Sequence, residues 1–224
     1  MDRYLTLWAD SLPQLLAAAV ATTIPLTLIS FALALLIGTV AASLRASSVK
    51  PLAWLAWIYI WIFRGTPLLV QLFIIFYGLP SIGVTLDVWN AAIITLSLNT
   101  GAYVAETFRA AVASIPRGQF EAAATLNFTR LQTLRHVVIP QAVRIALPTL
   151  GNDLIDLVKG TSLVSVISLV DLFQTGKQIA SRTFEPMAMY TEVALIYLVI
   201  FTLLSIGQSY LEKRSNRHLR SRNA

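Results

Sequence analysis

The chain is a succession of long apolar runs divided by short polar intervals. Residues 15–44 are almost uninterrupted and end at Arg45; residues 52–79 follow, with Trp54, Trp57 and Trp61 near their start and Arg64-Gly65-Thr66-Pro67 interrupting their middle. Residues 88–112 form a third run and residues 187–211 a last one. About 20 helical residues cross a bilayer core, so each run predicts a spanning helix. A fifth, residues 143–166, carries Asp153, Asp156 and Lys159 and scores poorly on hydropathy alone. The Pro- and Gly-containing stretch 79–83 reads as an external turn, and residues 171–186 as an external loop with a short helical piece.

Basic residues gather at alternate ends of these runs. Arg45 and Lys50 follow the first, Arg109, Arg117, Arg130, Arg135 and Arg144 surround the central polar segment, and Lys213, Arg214, Arg217, Arg220 and Arg222 follow the last. The opposite side holds only Arg3, Lys177 and Arg182, beside Asp2, Asp10, Asp87, Asp171 and Glu185. Retained positive charge marks the cytoplasmic face. The pattern places the N-terminus outside and the C-terminus inside, which needs an odd number of spans and so requires the fifth. The expected fold is an all-α integral membrane protein of about five transmembrane helices. It is a single domain, 1–224, with a cytoplasmic loop at 113–142 and a basic cytoplasmic tail at 212–224.

Composition agrees. Of 224 residues 56% are hydrophobic and only 12% charged, against about 25% charged in soluble domains. The net charge of +6 does not indicate a nucleic-acid partner, because the basic residues sit at span ends, where anionic lipid holds them. With no cysteine and only His136 and His218, neither a thiolate nor a histidine-rich metal site can be built. Asp2 and Asp10 dilute any basic leader, and the first apolar run is too long for a signal core, so it is expected to be retained.

The central segment has its own structure. Pro116 and Gly118 precede strong helix formers, which predicts a short helix starting near Arg117 or Gly118. Asn127 tolerates the left-handed conformation that ends a helix. A second helical piece from Leu131 leads towards Pro140 and Pro148. Small alanines on one face and one fixed charge, Glu121, suit a helix gripped by another protein. An amphipathic helix lying on anionic lipid through Arg117, Arg130 and Arg135 is the alternative. The full spacing favours docking. Glu121-Ala122-Ala123, three residues, Asn127, nine residues, then Val137-Val138-Ile139-Pro140 resembles the loop of ATP-binding-cassette importer permeases. Their pattern is Glu-Ala-Ala, three residues, Gly, nine residues, Ile-x-Leu-Pro, and the resemblance departs from it at Asn127, where the family has Gly.

More of the chain resembles the permeases of polar amino-acid importers. The matching stretches are residues 63–71 (FRGTPLLVQ), 102–106 (AYVAE), 109–112 (RAAV), 114–119 (SIPRGQ), 147–152 (LPTLGN) and 159–163 (KGTSL). The resemblance implies two five-helix permease subunits, a second copy of this chain or a close homologue, in a bacterial inner membrane. It implies an ATPase subunit dimer docked on Arg117, Gly118, Glu121, Ala122, Ala123 and Asn127, and an external amino-acid-binding protein that delivers cargo. ATP and Mg would belong to the ATPase: this chain lacks G-x-x-x-x-G-K-[ST], and Lys159-Gly160-Thr161-Ser162 lacks the upstream glycine. No cofactor of its own is expected.

Charges inside spans cost roughly 2.5–3.5 kcal/mol each on insertion scales and are functional candidates. Asn99, Tyr103 and Glu106 share one helix face, with Arg109 a turn beyond. Asn152, Asp153, Asp156 and Lys159 fall in the fifth interval. A zwitterionic amino acid needs an acceptor for its ammonium, which Glu106 or Asp153 can supply, and a donor for its carboxylate, which Arg109 or an amide can supply. The competing readings are mutual neutralisation of Glu106 with Arg109 and of Asp156 with Lys159, and a merely structural kink at Arg64. A stand-alone secondary transporter or channel, and an intramembrane enzyme, are the rival functions. Five spans without a repeat and a large polar loop speak against the first, and the absence of a nucleophile–base constellation against the second. Which polar amino acid is carried, and homodimer or heterodimer, stay open.

Overall fold

The computed structural model describes residues 2–215, and all regular structure in them is helical. Helix α1 (Asp2–Ala18) runs through a π-helical turn (Ala19–Thr23) into α2 (Ile24–Arg45). After a short turn come α3 (Lys50–Gly65), α4 (Leu68–Phe73) with a π turn (Ile74–Gly78), and a 3-10 turn (Leu79–Ile82). Then follow α5 (Val88–Ala113), α6 (Arg117–Thr125), α7 (Arg130–Thr133), a π turn (Leu134–Val138) and α8 (Ile139–Gly160). A 3-10 segment (Thr161–Ile167), α9 (Leu172–Thr183) and α10 (Pro186–Ser215) complete the described residues.

Each π turn stops at an X-Pro step. The N–H groups of Ile24, Leu79 and Ile139 donate five residues back, to the carbonyls of Ala19, Ile74 and Leu134 respectively, and Pro25, Pro80 and Pro140 follow. A proline leaves a carbonyl four residues upstream without its donor. Widening the preceding turn is a way to absorb that defect without ending the helix.

The first span is longer than the apolar run predicts. Thr6–Arg45 is one helical stretch of 40 residues, about 60 Å at 1.5 Å per residue and twice a bilayer core. Its N-terminal part is held by long-range contacts that periodicity does not reveal. Trp8 Nε1 donates to Ala188 O at 3.1 Å and Ser11 Oγ to Glu192 Oε2 at 2.5 Å, while Leu15 is buried with Leu172 and Met189. The second expected span is not straight: α3 and the α4 stretch are bent by 109°. The loop expected after Asp171 is mostly the 12-residue helix α9, buried on one side by Ile179 and Ala180. By length and apolarity Thr6–Arg45 and Pro186–Arg214 qualify as spans, and the bent pair can form a third. Helices α5 and α8, of 26 and 22 residues, are long enough but carry charges.

Small residues let the helices close. A Cβ on Gly38 of α2 would sit 2.5 Å from Val104 and 2.8 Å from Gly101 O of α5, and one on Gly101 2.9 Å from the Tyr59 hydroxyl of α3. Without a hydrophobic drive between helices in lipid, such close approach supplies the attraction. On α8, Gly151 receives the Gln208 side chain of α10. Ala41, Ile60 and Ala105 share a cluster, as do Ala111, Val138 and Ala142. These pairings gather the ends of α2 and α10, the start of α3 and the α6 loop at one end of the bundle. The basic residues Arg45, Lys50, Lys213 and Arg214 therefore lie at the loop end. The outward faces are apolar, with Leu28, Leu36, Trp61 and Leu203 all more than half exposed, a surface that only lipid or a partner could cover.

Candidate functional site

The bend between α3 and α4 lies beside the middle of α5. Helix α3 ends at Gly65, Thr66 and Pro67 are extended, and α4 departs from Leu68. Pro67 disfavours a helical conformation at the preceding residue, and Thr66 is extended, so the break has a local origin. It places Arg64 over the Tyr103 ring, 5.4 Å from the centroid, with Nη1 4.0 Å from Glu106 Oε2. Glu106 also pairs with Arg109 one turn along α5, whose Nε donates to Oε1 at 2.9 Å. Tyr103 is ten residues, about 15 Å, from the loop end of α5. Glu106 is seven residues, about 10 Å, from the same end, and Arg109 four residues, about 6 Å.

A cavity of about 370 Å³ opens here, lined by Arg45, Trp57, Trp61, Arg64 and Glu106. Of the polar pairs the sequence suggests, Glu106–Arg109 and Asp156–Lys159 (2.6 Å) both form. Asp153 makes no ion pair among the described residues and its Oδ2 is 3.5 Å from Thr107 Oγ1. Asn99 points its amide not at the cavity but at the break, donating to Phe63 O at 3.1 Å and to Gln71 Oε1 at 2.9 Å.

Two polar residues escaped the sequence reading because each is a lone polar position in an apolar run. Gln71 is buried and Glu192 is buried with Ser11. An amide or an acid inside such a run is itself the signal, since lipid tolerates neither without a partner.

The second candidate region is α6. Helix formation begins at Arg117 behind Pro116, and Asn127 takes φ 55°. The helix closes through Asn127 N–H to Ala124 O (2.9 Å) and Phe128 N–H to Ala123 O (3.0 Å). Thr129 and Gln132 then form a capping box on α7. Ala123 is the single buried residue of α6, and it faces the bundle. Arg117, Gly118, Glu121 and Ala122 are exposed, and a Cβ on Gly118 would meet nothing of this chain within 4 Å. The two alanines therefore differ: Ala123 seats the helix and Ala122 faces outward. One side-chain bond, Gln141 Nε2 to Gln119 Oε1 at 3.1 Å, ties α6 to α8.

At the other end of the bundle, outside the spans, Asp171 caps α9 by accepting from Gln174 N–H at 2.8 Å. Its burial pushes the carboxyl up to about 6. Asp87 caps α5 through the Trp89 and Asn90 N–H groups, and the Asn90 bond holds it below the usual carboxylate range.

Residues 34–217 match the family described as the binding-protein-dependent transport system inner membrane component. The chain belongs to that family. It is 43% identical over 206 residues to the L-cystine transport system permease protein of Bacillus subtilis (strain 168), covering 92% of this chain and 88% of that one. It is 39% identical to the probable glutamine ABC transporter permease protein of the same organism, covering 84% and 87%. Among solved structures, a crystal structure of an amino acid ABC transporter with histidines superposes with a TM-score of 0.88 at 36% identity, covering 92% and 96%. An inward-facing methionine ABC transporter shares the fold, with a TM-score of 0.76 at 22% identity. Membership makes this membrane chain a permease subunit of an ATP-binding-cassette transporter and sets aside the stand-alone carrier. Partners of the ATPase and binding-protein kinds go with the family. The last basic residues, Arg217, Arg220 and Arg222 of the expected tail, lie outside the described residues.

Proposed function

We propose that this chain is the membrane-spanning subunit of a bacterial inner-membrane importer for polar amino acids. It spans five times, through α1–α2, the broken α3–α4, α5, α8 and α10, with the α6 loop and C-terminus inside. A second copy or close homologue completes the pathway, and ATP is hydrolysed by a separate subunit dimer. The observation that carries the reading is α6 itself. It is a short helix whose single buried residue is Ala123, with Glu121, Ala122 and Gly118 turned away from the bundle beside basic helix ends. A docked ATPase would close on that face, and its strokes would reach α5 and α8 through Pro116 and the α7 turn. The Glu-Ala-Ala spacing and the amino-acid relatives support the same reading.

Cargo delivered from an external binding protein would pass the charges beside the break. Arg64 offers a guanidinium to an α-carboxylate, and Glu106 and Asp153 offer acceptors to an ammonium. Tyr103 supplies the aromatic wall. Asp156 is paired with Lys159, and Glu106 is shared between Arg64 and Arg109, so Asp153 is the carboxylate of this set with no ion pair among the described residues. The test is affinity purification of the tagged chain from its membrane, wild type against Glu121→Lys. Loss of a co-purifying ATPase with unchanged insertion is the expected result. Retention of the ATPase and of uptake would overturn the docking assignment.

A further inference from the structure

We infer that Gln71 and Asn99 form an amide clasp that holds Arg64 in place, making them positioning residues for the permeation site rather than contacts for its cargo. The last carbonyls of any helix lack intrahelical donors, and in lipid each unpaired one costs several kcal/mol. At the end of α3 the Phe63 and Thr66 carbonyls are part-buried, and neither lipid nor apolar side chains can donate to them.

The chain supplies the donors itself. Gln71 Nε2 lies 2.9 Å from Phe63 O, 3.0 Å from Thr66 O and 2.8 Å from Thr66 Oγ1, so its two N–H groups are shared among three acceptors. Asn99 Nδ2 donates to Phe63 O and to Gln71 Oε1, coupling the two amides. Thr66 Oγ1 donates in turn to Ile62 O at 2.8 Å. Gln71 is 5% exposed. Such a buried network is stable only when every member is satisfied.

The clasp grips the backbone on both sides of Arg64, at Phe63 and at Thr66. Gly65 between them has nothing within 4 Å of where a Cβ would stand, so no side-chain packing fixes the turn there. Asn99, Tyr103 and Glu106 lie on one face of α5. The first holds the backbone of the break, while the other two receive the Arg64 side chain. One helix face thus sets both the position of the arginine and its partners. This inference rests on Arg64 lying on the substrate path.

The test uses the full-length chain in its assembled importer. Because the protein has no cysteine, the substitutions Ile62→Cys and Ile74→Cys, at exposed positions outside the cavity lining, carry spin labels on the two arms of the break. Gln71→Met keeps length and bulk but removes the N–H groups, and Asn99→Leu does the same for the second amide. Each is expected to broaden the label-to-label distance distribution and to cut uptake of a labelled polar amino-acid mixture about ten-fold per inserted chain. The double variant should be no worse than either single one, because both remove one device. A merely space-filling role would leave distance and uptake unchanged in these near-isosteric variants, and that result overturns the proposal. So do losses that multiply to about a hundred-fold, which independent sites give. Arg64→Leu separates the two ideas. Full uptake by that variant overturns the path reading and the functional half of this proposal, whereas an unmoved distance overturns the clasp whatever Arg64 does.

Discussion

The break beside α5 and the α6 loop are both polar interruptions of an apolar chain, yet they treat their polar groups in opposite ways. At the break nearly every group is used internally: Gln71, Asn99 and Thr66 serve carbonyls, and Glu106 is shared between Arg64 and Arg109. On α6, neither Arg117 nor Glu121 makes an ion pair among the described residues, and the helix has a single buried residue, Ala123. The difference follows from the solvent. Buried in the bundle, an unpaired group costs several kcal/mol. At the membrane edge water satisfies it, and it stays available to a partner. The first region thus satisfies its polar groups internally, and the second leaves them exposed, as the proposed docking requires.

That comparison can be broken by mutation. Its largest expected effect is at α6, where Glu121→Lys reverses the charge that the proposed ATPase partner would meet, at a cost of several kcal/mol. Uptake should fall by roughly a hundred-fold or more, while the stability of the purified chain, read from its thermal melting, stays within about 0.5 kcal/mol of wild type. Destabilisation of the chain itself would mean that α6 is structural. In the bundle, Gly38→Leu forces a side chain into the space of Val104 and Gly101 O. It should cost about 1–3 kcal/mol or more by overpacking and reduce the folded fraction recovered in detergent. Arg64→Leu should lower uptake about ten-fold by removing a charge-assisted partner for cargo, with ATPase co-purification unchanged.

Smaller effects test the two ends of the molecule. Asp171 keeps its proton up to about pH 6 in the folded protein because it is buried, whereas an unfolded aspartate loses it near pH 4. The folded state thus binds more protons across that window, so this group's contribution to stability is full below about pH 4 and is lost as pH rises through about 6. Asn caps helices as well as Asp does. Melting temperatures of Asp171→Asn measured from pH 4 to 7 should therefore decline less steeply than those of wild type. An identical slope would sink the assignment. Last, Asn127→Gly relieves a left-handed residue and should raise stability by up to about 1 kcal/mol, seen as a small rise in melting temperature without change in uptake.

Local chemistry made much of this legible. Proline and glycine at 65–67 marked the break, Pro116 and Asn127 bounded α6, and charges three residues apart on one helix paired as spacing requires. What was not legible depends on distant residues. Glutamine at 71 reads as one polar position in an apolar run until Phe63, Thr66 and Asn99 converge on it. Ala122 and Ala123 look alike in the chain, and only the packing of α6 against the bundle separates the buried one from the exposed one. The N-terminal part of the first helix carries Asp2, Asp10 and Pro13 and so gave no strong apolar signal, and the partners that hold it, Ala188 and Glu192, are some 180 residues away.

The sequence by itself determined the helical class, the apolar faces, the breakpoints and the family, since these follow from side-chain type and short-range spacing. The tertiary structure alone decided how far the second span turns, that Arg64 meets Glu106 and Tyr103, and that Asn99 serves backbone rather than cavity. Spacing fixes which groups share a helix face, but which face meets another helix is set by where small residues let the backbones approach.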